Sequence, residues 1–213
     1  MKEPFIKAAL IDYLIEKYGD TLKVINPEFR FADGNRRADI LCISELLEGF
    51  EIKSDFDSLS TLAGQIANYL ECFESVSIVT TQKHLNGVIG ICPENVGVFL
   101  IKDSKIQVYR QAKVEKKLSK LSLLKMIGVK EVKSVLREKK VYCKNLMSLG
   151  IKDARELLVR NITINEALEL VKKTVINKYS SNFNQFLKDR GHVTLIDDIQ
   201  LLNMANGELA IEE

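Results

Sequence analysis

Histidine is nearly missing from this chain of 213 residues, which has two, and its four cysteines (Cys42, Cys72, Cys92 and Cys143) are widely spaced with no Cys-x-x-Cys among them. These shortages argue against a zinc site and against a disulfide framework, and a reducing, cytoplasmic setting is the simplest expectation. No apolar run approaches the ~18 residues needed to span a membrane, so no membrane partner is expected. Met1-Lys2-Glu3-Pro4 leads straight into an amphipathic helix, without the apolar segment or cleavage site of a signal peptide. Internal repeats and low-complexity tracts are also lacking. What is present is an apolar content of 46%, enough for a real core in one large domain or one domain with an appendage.

The most informative stretch runs from Asp39 to Lys53. Arg37-Ala38-Asp39-Ile40-Leu41-Cys42-Ile43 reads as a buried strand, and Glu48-Gly49-Phe50-Glu51-Ile52-Lys53 as an alternating strand that starts at a Gly turn. Side chains alternate along a strand, so Glu51 and Lys53 share one face while Phe50 and Ile52 share the other. Paired as a hairpin, the two strands bring Asp39 to the face of Glu51. Two carboxylates and an ammonium then converge beside a core that excludes charge. Neighbouring carboxylates repel, and burying them is costly unless a cation or strong hydrogen bonds compensate. A hard divalent ion such as Mg2+ is the natural compensation, and the set suits hydrolysis of a phosphodiester.

The pattern Asp-x11-Glu-x-Lys resembles the signature of the PD-(D/E)XK nuclease superfamily, and Gln65-Ile66-Ala67-Asn68-Tyr69 in the next helix resembles the Gln-x-x-x-Tyr of its RecB-like and lambda-exonuclease-like branch. The likeness covers roughly residues 1 to 110. It implies a restriction-endonuclease-like α/β core, a mixed central sheet flanked by helices in the order αβββαβ. It further implies that Asp39, Glu51 and the carbonyl of Ile52 hold one or two Mg2+ ions, with Mn2+ able to substitute. Lys53 then orients the attacking water, while Gln65 and Tyr69 position the substrate backbone or support the metal ligands. Because the superfamily often carries a helix-borne Glu near the metal, Glu3 is a candidate ligand, ahead of Glu16; Asp12 shares their helix. Arg36 and Arg37 are candidate phosphate clamps, and Lys83 and His84 candidate DNA contacts. Each has a plain alternative, as an exposed turn residue or, for Glu3, as a favourable charge at a helix start.

Periodicity supplies the remaining organisation. A helix starting at Pro4 and ending at Gly19 precedes a first strand interrupted at Pro27, and Asp33-Gly34-Asn35 is a turn. Asp57 or Ser58 is expected to cap the helix with Gln65. Val76–Thr80 and Val96–Ile101 read as strands, and Lys105–Tyr109 as a last strand paired across Asp103-Ser104. The nuclease core is thus assigned to 1–112, a basic all-α extension to 113–190 and an acidic tail to 191–213. Helical segments are expected at 118–126, 129–136, 142–149, 154–160, 165–178 and 182–188, the fifth capped by Thr163 or Asn165. Ile199, Leu201, Leu202 and Met204 are the expected anchors of the tail.

A formal net charge of +2 conceals segregation. Residues 1–100 hold 9 Lys/Arg against 15 Asp/Glu, residues 101–190 hold 22 against 9, and the last 23 hold none against 5. A lysine coat is the plain reading of the basic block; a phosphate-binding face is the functional one. The sequence therefore points to a metal-dependent deoxyribonuclease with DNA as partner and homodimerisation left open. The alternatives are a non-catalytic DNA-binding protein on a nuclease-like scaffold, and a protein-interaction module.

Overall fold

The computed structural model describes residues 1–204. Pro4 stands in the first turn of α1 (Glu3–Tyr18), where its missing N–H leaves no bond unmade, and Gly19 closes the helix at a φ of 47°. Ile6, Leu10, Ile11 and Leu14 recur at helical spacing and are fully buried. Six strands follow: β1 (Val24–Phe31), β2 (Arg36–Ile43), β3 (Leu47–Lys53), β4 (Ser75–Thr81), β5 (Gly97–Lys102) and β6 (Lys105–Arg110). They lie side by side in chain order, with β3, β4 and β5 parallel and the other pairings antiparallel, giving a mixed, open α/β sheet.

α2 (Leu62–Leu70) connects β3 to β4, and α3 (Leu85–Ile91) connects β4 to β5. Every residue of β3 and β4 is buried, as expected for strands covered on both faces. Phe50 packs its ring on Phe99, which meets Tyr13 of α1. Glu51, one residue on, meets Tyr69 of α2. The period-two alternation of β3 thus sends Phe50 toward α1 and Glu51 toward α2, and Glu48, on the Phe50 face, accepts from the Tyr18 hydroxyl of α1.

The C-terminal region is helical and packs on this core: α4 (Lys120–Leu124), α5 (Val129–Glu138), α6 (Ile151–Val159) and α7 (Ile164–Asp189). Thr163 and Glu166 form a capping box at the start of α7. α7 and a 3-10 segment, Asp197–Asn203, cover the outer strand β1, where Asn26 Nδ2 donates to the Leu202 carbonyl at 2.7 Å. Three basic residues tie the region to acidic residues of the core: Arg155 to Asp33, Lys172 to Glu74 and Arg190 to Asp12. Among the described residues no helix is long and apolar enough to cross a membrane.

Several local expectations need correction. β1 runs unbroken through Pro27, which pairs with Ile40; a strand at the sheet edge tolerates a missing N–H. The irregularity is at Glu28, left-handed at φ 57°. α2 starts at Leu62, so neither Asp57 nor Ser58 caps it, and Asp57 instead accepts from Ser54 N at 2.7 Å. The helix α3 was not foreseen, because seven residues that include Gly87 and Gly90 leave only Leu85 and Val88 as a buried stripe. Residues 142–149 contain only a 3-10 turn, Leu146–Ser148: Tyr142 and Met147 project into solvent, so no packing supports a helix. The segments 165–178 and 182–188 are one helix, α7. Ile199 and Leu202 anchor the tail while Leu201 faces outward; its residues 205–213 lie outside the described residues.

Candidate active site

The β2–β3 ladder pairs Leu41 with Gly49 and Ile40 with Phe50, and the next step outward sets Asp39 opposite Glu51. Both acids therefore leave the sheet on one side, at the carboxyl end of β3. Asp39 Oδ2 accepts the Ile52 N–H at 2.6 Å. Lys53 Nζ donates to Glu51 Oε1 at 2.8 Å and to Gln65 Oε1 at 2.9 Å. Gln65 Nε2 also donates to Glu51 Oε1, and the Tyr69 hydroxyl donates to Glu51 Oε2 at 2.7 Å. Gln65 and Tyr69, one turn apart on α2, thus hold the same carboxylate. Only 3% of Glu51 and 6% of Lys53 is exposed, so the ion pair is buried and needs these donors.

Gly49 lets α2 come close enough for this. A Cβ at Gly49 would stand 2.7 Å from Phe73 Cγ and 2.9 Å from Tyr69 Cδ1. Gly49→Ala is therefore expected to lower stability by about 1–3 kcal/mol and to push the Tyr69 hydroxyl off Glu51. Denaturant unfolding checks the first effect. An unchanged midpoint would show that α2 adjusts freely.

The charges around Asp39 do not balance. Burial first, and then the charge of Glu51, push its carboxyl up to about 8, while the Ile52 N–H and Lys7 act the other way. Burial followed by the charges of Glu51 and Asp39 lifts the Tyr69 hydroxyl well above its ordinary value, so it stays a donor. Excess negative charge in a half-enclosed place calls for a cation.

Two residues that the sequence did not single out complete the surroundings. Glu28 stands opposite Asp39 on β1, and carboxylate oxygens of Glu3, Glu28 and Asp39 lie within 4.8 Å of one another. Lys7 Nζ donates to Glu3 at 2.9 Å and also to Glu28, and Arg37 Nε lies against Glu28. Burial opposes the Lys7 ammonium, yet hydrogen bonds and charge from Glu28 and Glu3 outweigh it and raise its pKa. Glu28 Oε2 is buried against Arg37 Nε, and Glu28 Oε1 accepts from Lys7. The donor set of Glu3, Glu28 and Asp39 is all oxygen, the kind a hard divalent cation such as Mg2+ takes. The spacing of Glu3 and Lys7, four apart on a helix, was the available signal; Glu28 depends on strand register and gave none.

The other candidates divide. Asp12 is taken by Arg190 and Thr194, and Glu16 stands outside the carboxylate group. Arg36 and Arg37 are exposed along a cleft of about 360 Å3 that also includes Asp39, Glu51, Gln65 and Tyr69. Lys83 is exposed, with Nζ donating to the Asp55 carbonyl at 2.5 Å. His84, half-buried, precedes α3, and its Nε2 is buried without a hydrogen-bond partner. A second cavity, of about 610 Å3, lies between β1 and α7 and shares Arg30 with the cleft.

Among solved structures, a protein of unknown function from Silicibacter pomeroyi is similar over 66% of this chain and 93% of its own, at 14% identity and a TM-score of 0.41, too slight a likeness to assign a fold. Protein cII of Enterobacteria phage P4 is 30% identical over 96% of this chain and 79% of its own length. Residues 1–203 match the family described as bacteriophage P4 protein cII, and the chain belongs to that family.

Proposed function

We propose that this protein is a metal-dependent nuclease that hydrolyses phosphodiester bonds in DNA, built on a restriction-endonuclease-like core and working in the cytoplasm. The observation that carries the reading is the hydrogen-bonded group of Glu51, Lys53, Gln65 and Tyr69 at the end of β3, with Asp39 opposite Glu51 and held on the Ile52 N–H. The element order α1-β1-β2-β3-α2-β4 supports the same reading. A purely structural ion pair would need neither a second acid whose proton is retained to about pH 8 nor a third and fourth carboxylate beside it.

Asp39 and Glu51, with Glu3 and Glu28 nearby and the Ile52 carbonyl on the same strand end, are the residues that would hold Mg2+ or Mn2+. When bound, the ion supplies charge neutralisation at the phosphorus and acidifies water. Lys53 Nζ, buried and fixed by Glu51 and Gln65, orients a water for in-line attack and offsets negative charge on the pentacoordinate phosphorus. Gln65 and Tyr69 keep the Glu51 oxygens in place through the reaction. Arg36 and Arg37, on the rim of the cleft, bind flanking phosphates.

Cleavage assays on single-stranded, duplex and branched DNA test this. Purified protein is expected to cut at least one of them with Mg2+ or Mn2+ and to stop on chelation, with Glu51→Ala inactive. Salt-sensitive DNA binding with no cleavage of any substrate would favour the scaffold alternative. Indifference to DNA at low salt would favour a protein-interaction module.

A further inference from the structure

We infer that the Lys7 ammonium stands where a second metal ion would otherwise sit, so that the site takes a single divalent cation. The inference rests on the nuclease reading of the adjoining site, which leaves the number of ions open. The sheet order β1-β2-β3 sets Glu28, Asp39 and Glu51 in a row across three neighbouring strands, with Asp39 in the middle. Adjacent strands are about 4.8 Å apart, and paired metal ions about 3.5–4 Å. A row of carboxylates with a shared central one is therefore the framework of a two-ion site. One place lies between Asp39 and Glu51. The other lies among Asp39, Glu28 and Glu3, whose oxygens are within 4.8 Å of one another.

The two places are not alike, because the outer one already contains a cation. Lys7 is 6% exposed, and its Nζ donates to Glu3 at 2.9 Å and to Glu28. Glu3 precedes Lys7 by four residues on α1, the order in which such a pair supports its helix. The ammonium is thus fixed from its own helix and from β1 together. Arg37 Nε lies against the other Glu28 oxygen. At the inner place Asp39 is met by the Ile52 N–H, a neutral donor. A second ion could enter only by displacing the ammonium, which would leave it buried without an acceptor. Charge counting agrees. Glu3, Glu28, Asp39 and Glu51 face Lys7, Arg37 and Lys53, a formal surplus of one negative charge. One divalent ion reverses that surplus, whereas two would leave a strongly positive pocket.

Mn2+ titration of the full chain tests this, with bound ions counted by equilibrium dialysis and their mutual coupling read by electron paramagnetic resonance. Ions held elsewhere on the surface are subtracted with Asp39→Asn/Glu51→Gln, which removes the shared and the inner carboxylate. Wild type is expected to bind one ion per chain, with the spectrum of an isolated Mn2+. Lys7→Met should bind two, with a spin-coupled spectrum, and Lys7→Met/Glu28→Gln should return to one. Lys7→Gln, which keeps an amide donor for the carboxylates, should also bind two and serves if the methionine variant does not fold. Two coupled ions in the wild type overturn the inference. So does a single ion in every folded Lys7 variant, which would make the lysine a structural ion pair. Binding of no Mn2+ at all overturns it together with the metal-dependent reading. Cleavage is scored separately: a wild type that binds two ions and cuts DNA keeps the nuclease and loses the inference. One ion in the wild type and two in Lys7→Met, with no cutting by either, does the reverse.

Discussion

Asp39→Asn is expected to make the protein more stable at alkaline pH while eliminating cleavage. In the unfolded chain this carboxyl ionises near 3.8, whereas burial and the charge of Glu51 keep its proton on up to about pH 8 in the fold. A raised carboxyl pKa means that the folded state holds the proton more tightly. Stability without divalent ions therefore falls as pH rises from about 4 to about 8 and levels off above that window. The full difference corresponds to at most about 6 kcal/mol, and solvent reaching the carboxylate cuts it to ~2–3 kcal/mol. Asparagine keeps the acceptor for the Ile52 N–H, which Asp39 now meets at 2.6 Å, and never ionises. The gap between variant and wild type should thus be near zero at pH 4 and widest at pH 8 and above. Mg2+ should close it by stabilising only the wild type. Outer-sphere partners of a metal are each worth about 10- to 100-fold in activity, so loss of a ligand should cost more than about 100-fold. Unfolding followed from pH 4 to 9, with and without Mg2+, decides the matter, and parallel curves for the two proteins would refute the electrostatic account.

The parts of this site that the sequence disclosed are those governed by local periodicity. Asp39, Glu51 and Lys53 were legible because strands alternate, although Gly49, expected at the turn, lies inside β3 opposite Leu41 and the turn is at residues 44–46; Gln65 and Tyr69 were legible because four residues make one helical turn. Glu28 was not. It reaches the cluster through its register with β2 and a left-handed backbone within a strand, and neither leaves a mark in the amino-acid pattern. A non-glycine residue with positive φ beside four other charged groups (Glu3, Lys7, Arg37 and Asp39) is the kind of strain that accumulates at functional sites. The basic block illustrates a different limit. Charge segregation along the chain was plain, but Arg155, Lys172 and Arg190 turn inward to Asp33, Glu74 and Asp12. Part of that charge holds the helices on the core and is not available to phosphate. The exposure of Tyr142 and the unbroken course of α7 were settled by what there was to pack against, which no single segment records.

Lys53→Met should be the most damaging single change, and its partner substitution shows why the lysine is there. The side chains of Lys53 and Glu51 are 7% and 4% exposed, with Nζ 2.8 Å from Oε1. Removing the ammonium leaves Glu51 with only the Gln65 amide and the Tyr69 hydroxyl as donors. Breaking a buried pair in this way costs about 3–5 kcal/mol, a large share of the roughly 5–15 kcal/mol that holds a domain together. Activity should fall by about 100-fold or more, because a preorganised charge is lost from the place where negative charge develops. Divalent ions should restore part of the stability of Lys53→Met, since they compensate Glu51, without restoring cleavage. The double variant Glu51→Gln/Lys53→Met removes both charges and leaves a neutral amide within reach of Gln65 and Tyr69. Such replacements of a buried pair are often neutral or stabilising, so the double variant should recover most of the lost stability and none of the activity. That outcome would mean that the fold does not need the pair, and that its retention reflects the chemistry done beside it. A double variant as unstable as Lys53→Met alone would instead make the pair a structural element, and would remove the strongest physical reason for placing catalysis at this end of β3.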